Sequence, residues 1–193
     1  MIYLVRHGES TANIGLPTEN HKEIPLTEQG RLQAAAAAEK LAAYDIDFLV
    51  VSPFLRALET AEEYRKLRPE VKCFVDPRIC EYTYLRPAKC KGLTNAQRRP
   101  LRQEYWQRKD PYYVDGEGAE SFLEFLMRAK SFYDDCAGLK GKHLAVFSHS
   151  QMINILLMLD DQAFMEMDLV SKMSYFRNNM RWVENAEIIP VVL

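Results

Sequence analysis

Five short apolar runs, separated by stretches of helical pattern, limit the folds open to this chain. They are IYLV (2–5), DFLVV (47–51), VKCFV (71–75), HLAVFS (143–148) and EIIPVV (187–192). Runs this apolar suit strands that are covered on both faces, as in a mainly parallel sheet. Pro190 indicates that the last run is an edge strand, because proline donates no ladder hydrogen bond. We therefore predict an α/β fold, a three-layer α/β/α sandwich with a mainly parallel central sheet.

Helix signals fill the intervals between these runs. Thr27 is a favourable N-cap for a helix through Leu41, and Gly30 within that helix indicates close packing. Ser52 and Pro53 are residue types that favour an N-cap and a first helical position. A further helix is indicated by an apolar stripe at helical spacing, which is typical of a surface that faces the core. The stripe consists of Phe122, Leu126, Ala129, Tyr133 and Cys136.

Length, charge and cysteine content narrow the class of protein. The 193 residues suit a single domain, 1–193, in which residues 82–118 form a small insertion interrupted by prolines. The formal net charge of −2 favours binding neither to nucleic acid nor to a membrane, and no run approaches the ~18 apolar residues of a membrane span. The cysteines lack the spacings of zinc and redox motifs, which indicates reduced thiols and a cytoplasmic location. No pattern indicates an oligomeric state.

Charged and polar side chains follow three of the predicted strands. In open α/β sheets, ligands bind beyond the carboxyl ends of the strands. Guanidinium groups and helix N-termini both match the oxygens of a phosphate. The sequence therefore predicts an anion site at this edge of the sheet, with the insertion nearby. The residues that follow the strands are Arg6 and His7, Ser52 and Arg56, and His149 and Ser150.

Histidines within an anion site predict chemistry as well as binding. A neutral imidazole can attack phosphorus while arginines neutralise the oxygens of the transferred group. We assign the attack to His7, with His149 beside it, and the protonation of the leaving alkoxide to Glu81, which follows the third run. A lone histidine at a strand end is more often structural, and we give His21 and His143 that interpretation.

Six blocks of the sequence resemble the histidine phosphatase superfamily, in its phosphoglycerate mutase-like branch. They occur in the order of that branch and span nearly the whole chain. RHGE together with the SPxxRAxxT pattern is the most specific part of the resemblance. The blocks are RHGESTAN (6–13), LTEQGRLQA (26–34), SPFLRALETA (52–61), GEGAESFLEFLMR (116–128), FSHSQMI (147–153) and NAEIIPV (185–191).

The resemblance implies a role for each site residue. His7 would become phosphorylated, and Glu81 falls where the family's proton donor lies. No metal or organic cofactor is implied, and the chain has no HExxH, GxxxxGK or GxGxxG pattern. Ser150 stands where the family usually has glycine, so its hydroxyl either caps the next helix or crowds the phosphate. The residues that would bind the phosphoryl group are Arg6, Asn13, Arg56, His149 and, if it contributes, Ser150.

Hydrolysis and phosphoryl transfer to a second substrate oxygen share their first step. The family's dedicated mutases carry a larger central insertion and a C-terminal extension, whereas few residues follow Pro190 here. We therefore predict a metal-independent phosphatase that hydrolyses phosphomonoesters through a phosphohistidine. A phosphoglycerate mutase-type phosphotransferase and a catalytically degenerate module that binds a phosphorylated ligand are the alternatives.

The insertion bears on the substrate because its first part is strongly basic. Residues 82–109 contain eight basic side chains and one acidic side chain, Glu104. If they overhang the site, they favour a small phosphorylated metabolite with more than one anionic group, such as a bisphosphate, a phospho-carboxylate or a nucleotide. A solvated helix face is the alternative, and a phosphoprotein substrate also fits. The basic residues are Arg86, Lys89, Lys91, Arg98, Arg99, Arg102, Arg108 and Lys109.

Overall fold

The structure, a computed structural model, describes residues 1–139 and 141–192. Within these residues the chain forms five strands, eight α-helices and a short 3-10 helix at Pro77–Ile79. Strands β1 to β5 are Ile2–Arg6, Phe48–Val51, Lys72–Val75, Leu144–Ser148 and Ile188–Val191. Helices α1 to α8 are Glu28–Leu41, Leu55–Leu67, Pro87–Cys90, Arg99–Gln107, Phe122–Gly138, Ser150–Met158, Gln162–Glu166 and Leu169–Asn179.

The strands form one mixed sheet in the order β3-β2-β4-β1-β5. All neighbours are parallel except β5, which runs antiparallel to β1 at the sheet edge. The edge position of the strand that contains Pro190 is confirmed. Arg6 pairs with Ser148 and Val51 pairs with Phe147, so β1, β4 and β2 end at nearly the same level. This register brings three chain segments together beyond the sheet.

Helices cover both faces of the sheet, which confirms the predicted three-layer sandwich. On one face, Val5, Leu49 and Phe147 form a core with α1 and α2. On the other face, Leu4 and Val146 pack with α5, α6 and α8. Alternate strand residues enter the two cores because successive side chains of a strand point to opposite faces. None of the helices in the described residues has the length and hydropathy that a membrane crossing requires.

Strand β3 differs from the expectation of full coverage. Phe74 and Val75 are 52% and 56% exposed. The strand lies at the outer edge of the sheet and pairs only with β2, and the ring of Phe74 packs edge-on against Phe48 at 5.8 Å between centroids. An apolar run alone therefore did not distinguish a central strand from an edge strand.

Helix α1 begins and packs as predicted. The side chain of Thr27 accepts a hydrogen bond from the backbone N–H of Gly30 at 2.9 Å. A Cβ atom on Gly30 would lie 2.0 Å from the carbonyl oxygen of Glu9, and one on Gly8 would lie 2.4 Å from that of Gly30. Both positions therefore require glycine, because the loop after β1 rests directly on the helix backbone. This contact fixes the residue next to His7.

Helix α2 begins later than predicted. Its N-cap is Phe54, which provides no side-chain cap, and the first helical residue is Leu55. Pro53 is therefore not in the first helical position, and Ser52 does not act as the N-cap. The hydroxyl of Ser52 is engaged with the ring of His149 instead. Arg56 lies in the first turn of the helix, as expected.

The insertion contains α3 and α4 and is anchored on two sides. The ring of Tyr82 stacks on Phe125 of α5 at 4.2 Å, and its hydroxyl lies 2.6 Å from that of Tyr105. On the opposite side, Thr18 accepts from the N–H of Gly92 at 2.9 Å and donates to the carbonyl of Leu93 at 3.3 Å. The insertion is thus attached to the loop that leads from β1 to α1.

Candidate active site

His7 lies at the carboxyl end of β1 and is 4% exposed. Its backbone N–H donates to the carbonyl of Ser148 at 3.1 Å, which extends the sheet pairing by one residue. The ring atom Nδ1 lies 2.7 Å from the carbonyl oxygen of Gly8. Since a carbonyl only accepts, Nδ1 carries the proton and Nε2 carries the lone pair. Arg56 Nε lies 3.1 Å from Nε2 and donates to it.

The environment keeps the imidazole of His7 neutral. Burial, reinforced by the positive charges of Arg56 and Arg6, lowers the pKa of His7 well below its usual 6.5. The ring therefore retains its lone pair at neutral pH. An uncharged imidazole of fixed tautomer, with Nε2 beside a guanidinium group, has the properties of a nucleophile for an anionic substrate.

His149 is fully buried and lies beside His7, with 5.3 Å between the ring centroids. Its Nε2 atom lies 2.7 Å from the hydroxyl of Ser52. Its Nδ1 atom is buried and has no hydrogen-bond partner among the described residues. Burial, followed by the charge of Arg56, lowers the pKa of His149 well below 6.5 as well. The two rings thus form a neutral pair between two cationic side chains.

Arg6 and Arg56 are both buried, at 6% and 7% exposure. Arg56 donates from an NH group to the carbonyl of His21 at 2.9 Å, and burial lowers its pKa to about 10. Arg6 donates to the carbonyl of Val183 at 2.5 Å, while its Nε atom is buried without a partner among the described residues. Backbone carbonyls orient both guanidinium groups and leave their remaining N–H donors available.

Two buried polar atoms without a partner indicate what the site binds. Arg6 Nε and His149 Nδ1 are buried polar atoms next to His7, and leaving such atoms unsatisfied costs about 1–3 kcal/mol each. An anion with several oxygens, placed beside His7, would accept from Arg6 Nε and from Arg56, and from His149 Nδ1 in the tautomer that carries a proton on this atom. The arrangement can therefore accommodate a phosphate-like anion.

Glu81 lies just after the 3-10 helix and is partly buried. Its carboxylate accepts from the backbone N–H groups of Tyr82 at 3.1 Å and of Gln151 at 3.2 Å. Burial raises the pKa of Glu81, although Arg56 and these N–H groups oppose the rise. Arg128 holds the preceding backbone by donating to the carbonyls of Arg78 and Cys80, at 2.6 and 2.9 Å. The carboxyl group is thus fixed near the arginines with an elevated proton affinity.

Asn13 and Ser150 contribute differently from each other. Asn13 is exposed, and its side-chain oxygen accepts from the N–H and hydroxyl of Ser10 at 2.9 and 2.8 Å. Its amide NH₂ group makes no hydrogen bond with the residues that the structure describes and stays available as a donor. Ser150 is the first residue of α6, whose N-cap position, His149, provides no side-chain cap. Its hydroxyl therefore does not cap this helix.

Several supporting residues were not assigned from the sequence. Thr60 accepts from the N–H of Gly8 at 3.0 Å and donates to the carbonyl of Arg56 at 2.6 Å, so it links the two segments. Its position one helical turn after Arg56 could have indicated from the sequence that Thr60 lies next to the site. Asn185 donates to the carbonyl of His7 at 3.2 Å from the far end of the chain, and no local pattern indicated that contact. Burial, together with nearby positive charges, lowers the pKa of His21 to about 4.

The fold and this site together define an α/β protein in which two buried histidines lie side by side at the carboxyl ends of parallel strands. A family model described as the histidine phosphatase superfamily (branch 1) matches residues 2–171. The chain therefore belongs to the histidine phosphatase superfamily. Members related to it are phosphatases and phosphoglycerate mutase-like proteins, and a phosphohistidine mechanism is general to the family. Among the described residues, no three His, Cys, Asp or Glu side chains are grouped so that they could hold a metal ion.

Similar proteins include some named as phosphatases and some named as phosphoglycerate mutases. The Schizosaccharomyces pombe protein named "probable phosphatase C1687.21" is 28% identical, over 96% of this chain and 87% of its own length. The Photorhabdus laumondii protein named "probable phosphoglycerate mutase GpmB" is 27% identical, over 81% of this chain and 72% of its own. A mycobacterial glucosyl-3-phosphoglycerate phosphatase, solved in complex with VO3, has a TM-score of 0.72 and 24% identity, covering 97% of this chain and 90% of that one. This last similarity establishes the shared fold.

Proposed function

We propose that the protein is a metal-independent phosphatase that hydrolyses phosphomonoesters through a phosphohistidine on Nε2 of His7. The main support is the state of the His7 ring, which is neutral, buried and oriented by Gly8 with its lone pair facing Arg56. A histidine used only for structure would not require two guanidinium groups that suppress its protonation. Membership of the histidine phosphatase superfamily supports the same chemistry.

In this proposal the phosphoryl group occupies the space between the two rings. We assign His149 the tautomer in which Nε2 accepts from the hydroxyl of Ser52 and Nδ1 carries the proton. Arg6 Nε, His149 Nδ1 and Arg56 then donate to the phosphoryl oxygens, which gives the buried atoms partners and neutralises charge during transfer. Asn13 adds its amide NH₂ group from the β1–α1 loop. Ser150 takes part through its position at the start of α6, where the backbone of the helix N-terminus favours an anion.

Glu81 supplies and recovers the proton. As the ester oxygen leaves phosphorus, Glu81 in its protonated form donates a proton to that oxygen, and the alcohol departs. The resulting carboxylate then accepts a proton from a water molecule, which attacks the phosphohistidine and releases inorganic phosphate. The raised pKa of Glu81 suits both steps, because the group must hold a proton in one and release it in the next.

The alternative function is a phosphoglycerate mutase-type phosphotransferase. The similarity to the Photorhabdus protein favours it. A mutase must keep its phosphorylated product and exclude water until the group is returned. We favour hydrolysis because the central segment, residues 82–118, is modest, whereas the dedicated mutases of the family carry a larger central insertion. Transfer of label from a bisphosphate primer to a monophosphate would support the mutase instead.

We propose a small phosphorylated metabolite as the substrate and the cytoplasm as the location. The basic insertion supports a substrate with a second anionic group, because it is attached to the loop between β1 and α1. His21 lies in the same loop, and its carbonyl accepts from Arg56 of the candidate site. Arg98 is partly buried and donates to the carbonyls of Cys90 and Leu93, and its Nε atom has no partner among the described residues. A phosphoprotein is the other candidate, to be included in a substrate screen.

The test is activity and covalent labelling of His7→Ala beside His143→Ala. His143 lies just before β4, at the opposite end of that strand from His149, so it serves as a matched histidine control. Wild type and His143→Ala are expected to hydrolyse p-nitrophenyl phosphate in the presence of EDTA and to form an acid-labile, base-stable phosphoryl adduct. His7→Ala is expected to do neither. Activity that survives in His7→Ala, or a wild type that binds phosphate but never forms an adduct, would contradict the proposal.

A further inference from the structure

Trp182 is the feature of the site that the proposed chemistry does not use. The chain has two tryptophans, and they have different environments. Trp106 is partly buried in the aromatic cluster of the insertion, 5.4 Å from the ring of Tyr84. Trp182 is 71% exposed. A single exposed apolar side chain needs no explanation by itself. Trp182 is of interest because its ring borders the candidate site.

The position of Trp182 is fixed by its two neighbours. The backbone N–H of Arg181 donates to the side chain of Asn154 at 2.8 Å, and its carbonyl accepts from the same amide at 3.2 Å. Val183 is fully buried, and its carbonyl accepts from Arg6. The exposure of Trp182 therefore arises in a segment held at both sides and not in a loose loop. A ring held in this way is preorganised for binding.

The ring also lies directly against the anion site. The guanidinium carbon of Arg6 lies over the indole, 5.6 Å from the ring centroid. One face of the indole thus covers Arg6, and the high exposure leaves the rest of the ring open to solvent. Arg6, His7, Arg56 and His149 are all buried, so a leaving group on a phosphoryl group held beside them must extend toward solvent. The exposed indole, which lies over Arg6, borders that side of the site.

We infer that Trp182 is a specificity-determining residue that stacks on an aromatic ring in the leaving group of the substrate. The inference rests on the proposed function, since it takes the phosphoryl group to lie beside Arg6. A planar ring suits the open indole better than a flexible or charged group does, because stacking buries apolar area on both partners. The substrate class is thereby narrowed to phosphomonoesters of aromatic alcohols, including compounds that carry a heteroaromatic base.

The test compares benzyl phosphate with propyl phosphate. Both esters release a primary alcohol, so their intrinsic reactivities are similar. Wild type is expected to prefer benzyl phosphate by about tenfold in kcat/KM, the size of one aromatic stack. Trp182→Ala is expected to lose this preference and Trp182→Phe to keep most of it. Tyr112→Ala, which removes an aromatic side chain of 65% exposure in the insertion, is the matched control and should retain the wild-type ratio.

Two results would overturn the inference. One is a wild-type ratio near one, and the other is an equal loss on both esters in Trp182→Ala, which would mean that the indole only shields Arg6. Binding of phenylphosphonate and methylphosphonate, measured by calorimetry, addresses the case in which neither ester is hydrolysed. Such a failure of turnover would contradict the proposed function, whereas a preference for phenylphosphonate that depends on Trp182 would still support stacking. Equal affinities of wild type for the two phosphonates would refute it.

Discussion

The floor of the candidate site and its rim are built in different ways. The floor, which consists of Arg6, His7, Arg56 and His149, is at most 7% exposed, and backbone carbonyls orient Arg6, His7 and Arg56. The rim, which consists of Glu81, Arg98 and Trp182, lies on connecting segments and is partly buried or exposed. Under the proposed function, the floor built by the fold would hold the phosphoryl group, while the connecting segments would protonate and select the leaving group.

Removing a floor arginine should have the largest effect of the changes considered below. Arg56→Ala is expected to lower kcat/KM by about 10²- to 10³-fold on every phosphomonoester, because it removes charge-assisted donors to the phosphoryl oxygens. Arg56→Lys should recover only part of the loss, since an ammonium group cannot reproduce the fork. Arg65→Ala on the solvent side of the same helix, where Arg65 pairs with Glu62, is the control. A loss of activity on only one substrate would indicate that Arg56 contacts the leaving group and not the phosphoryl group.

Glu81→Gln should separate chemistry from binding at the rim. We expect a loss of about 10²-fold in kcat/KM on propyl phosphate, whose alkoxide needs a proton. The loss in kcat/KM should be much smaller on p-nitrophenyl phosphate, because nitrophenolate leaves without protonation. The readout is kcat/KM because it excludes hydrolysis of the phosphohistidine, which is the same for both esters. Equal losses in kcat/KM on the two esters would remove Glu81 from the role of donor.

The pH dependence of kcat/KM should reflect His7 in the floor and Glu81 in the rim. His7 reacts as a neutral ring and its pKa is lowered, so activity should persist well below pH 6.5. Glu81 must be protonated and its pKa is raised, so kcat/KM should fall as the pH rises above that elevated value. Glu81→Gln should flatten this basic limb, which separates it from ionisation of the substrate. A basic limb that is unchanged in the variant would assign it to another group.

Ser52→Ala should lower activity moderately, because Ser52 contacts His149 in the floor of the site. The variant removes the hydroxyl that lies 2.7 Å from Nε2 of His149, so the ring loses its orientation and tautomer control. We expect about a tenfold loss in kcat. The melting temperature should fall by a few degrees, because the buried Nε2 atom loses its hydrogen-bond partner at a cost of about 1–3 kcal/mol. Ser52→Thr, which retains the hydroxyl, should recover activity if the site admits its methyl group. Full activity in Ser52→Ala would show that His149 is oriented by packing alone.

The basic insertion should show the smallest effect and the most selective one. The double variant Arg98→Ala/Arg102→Ala is expected to lower kcat/KM by about threefold to tenfold for a bisphosphate at low salt, and less at high salt, because the interaction is screened. Monophosphates should be affected less. A loss that is equal for both substrates and independent of salt would indicate a structural role for these arginines in the α3–α4 region.

Local signals predicted part of this structure correctly. Thr27 was identified as an N-cap because its partner, the N–H of Gly30, lies three residues away. Ser52 was assigned the same role by its residue type, yet its hydroxyl is bound to a ring 97 residues further along the chain. Thr27 and Ser52 are both residue types that favour an N-cap, and both precede a helix. Only Thr27 caps its helix, because the hydroxyl of Ser52 has a distant partner in His149. The residues next to Ser52 in the sequence do not reveal that partner.

The sequence alone determined the layers of the fold and which side chains meet in the candidate site. Strand and helix periodicity reflect burial along short segments, and the ends of parallel strands must meet at one edge. Only the tertiary structure decided the state of those side chains: the tautomer of His7, the carbonyls that aim the arginines, and the indole of Trp182 beside Arg6. Arg6 reaches the carbonyl of Val183 across 177 residues of chain, and Arg56 reaches the ring of His7 across 49. The physical reason is that a pKa, a tautomer or a stacking surface is set by three-dimensional neighbours, which residue order does not record.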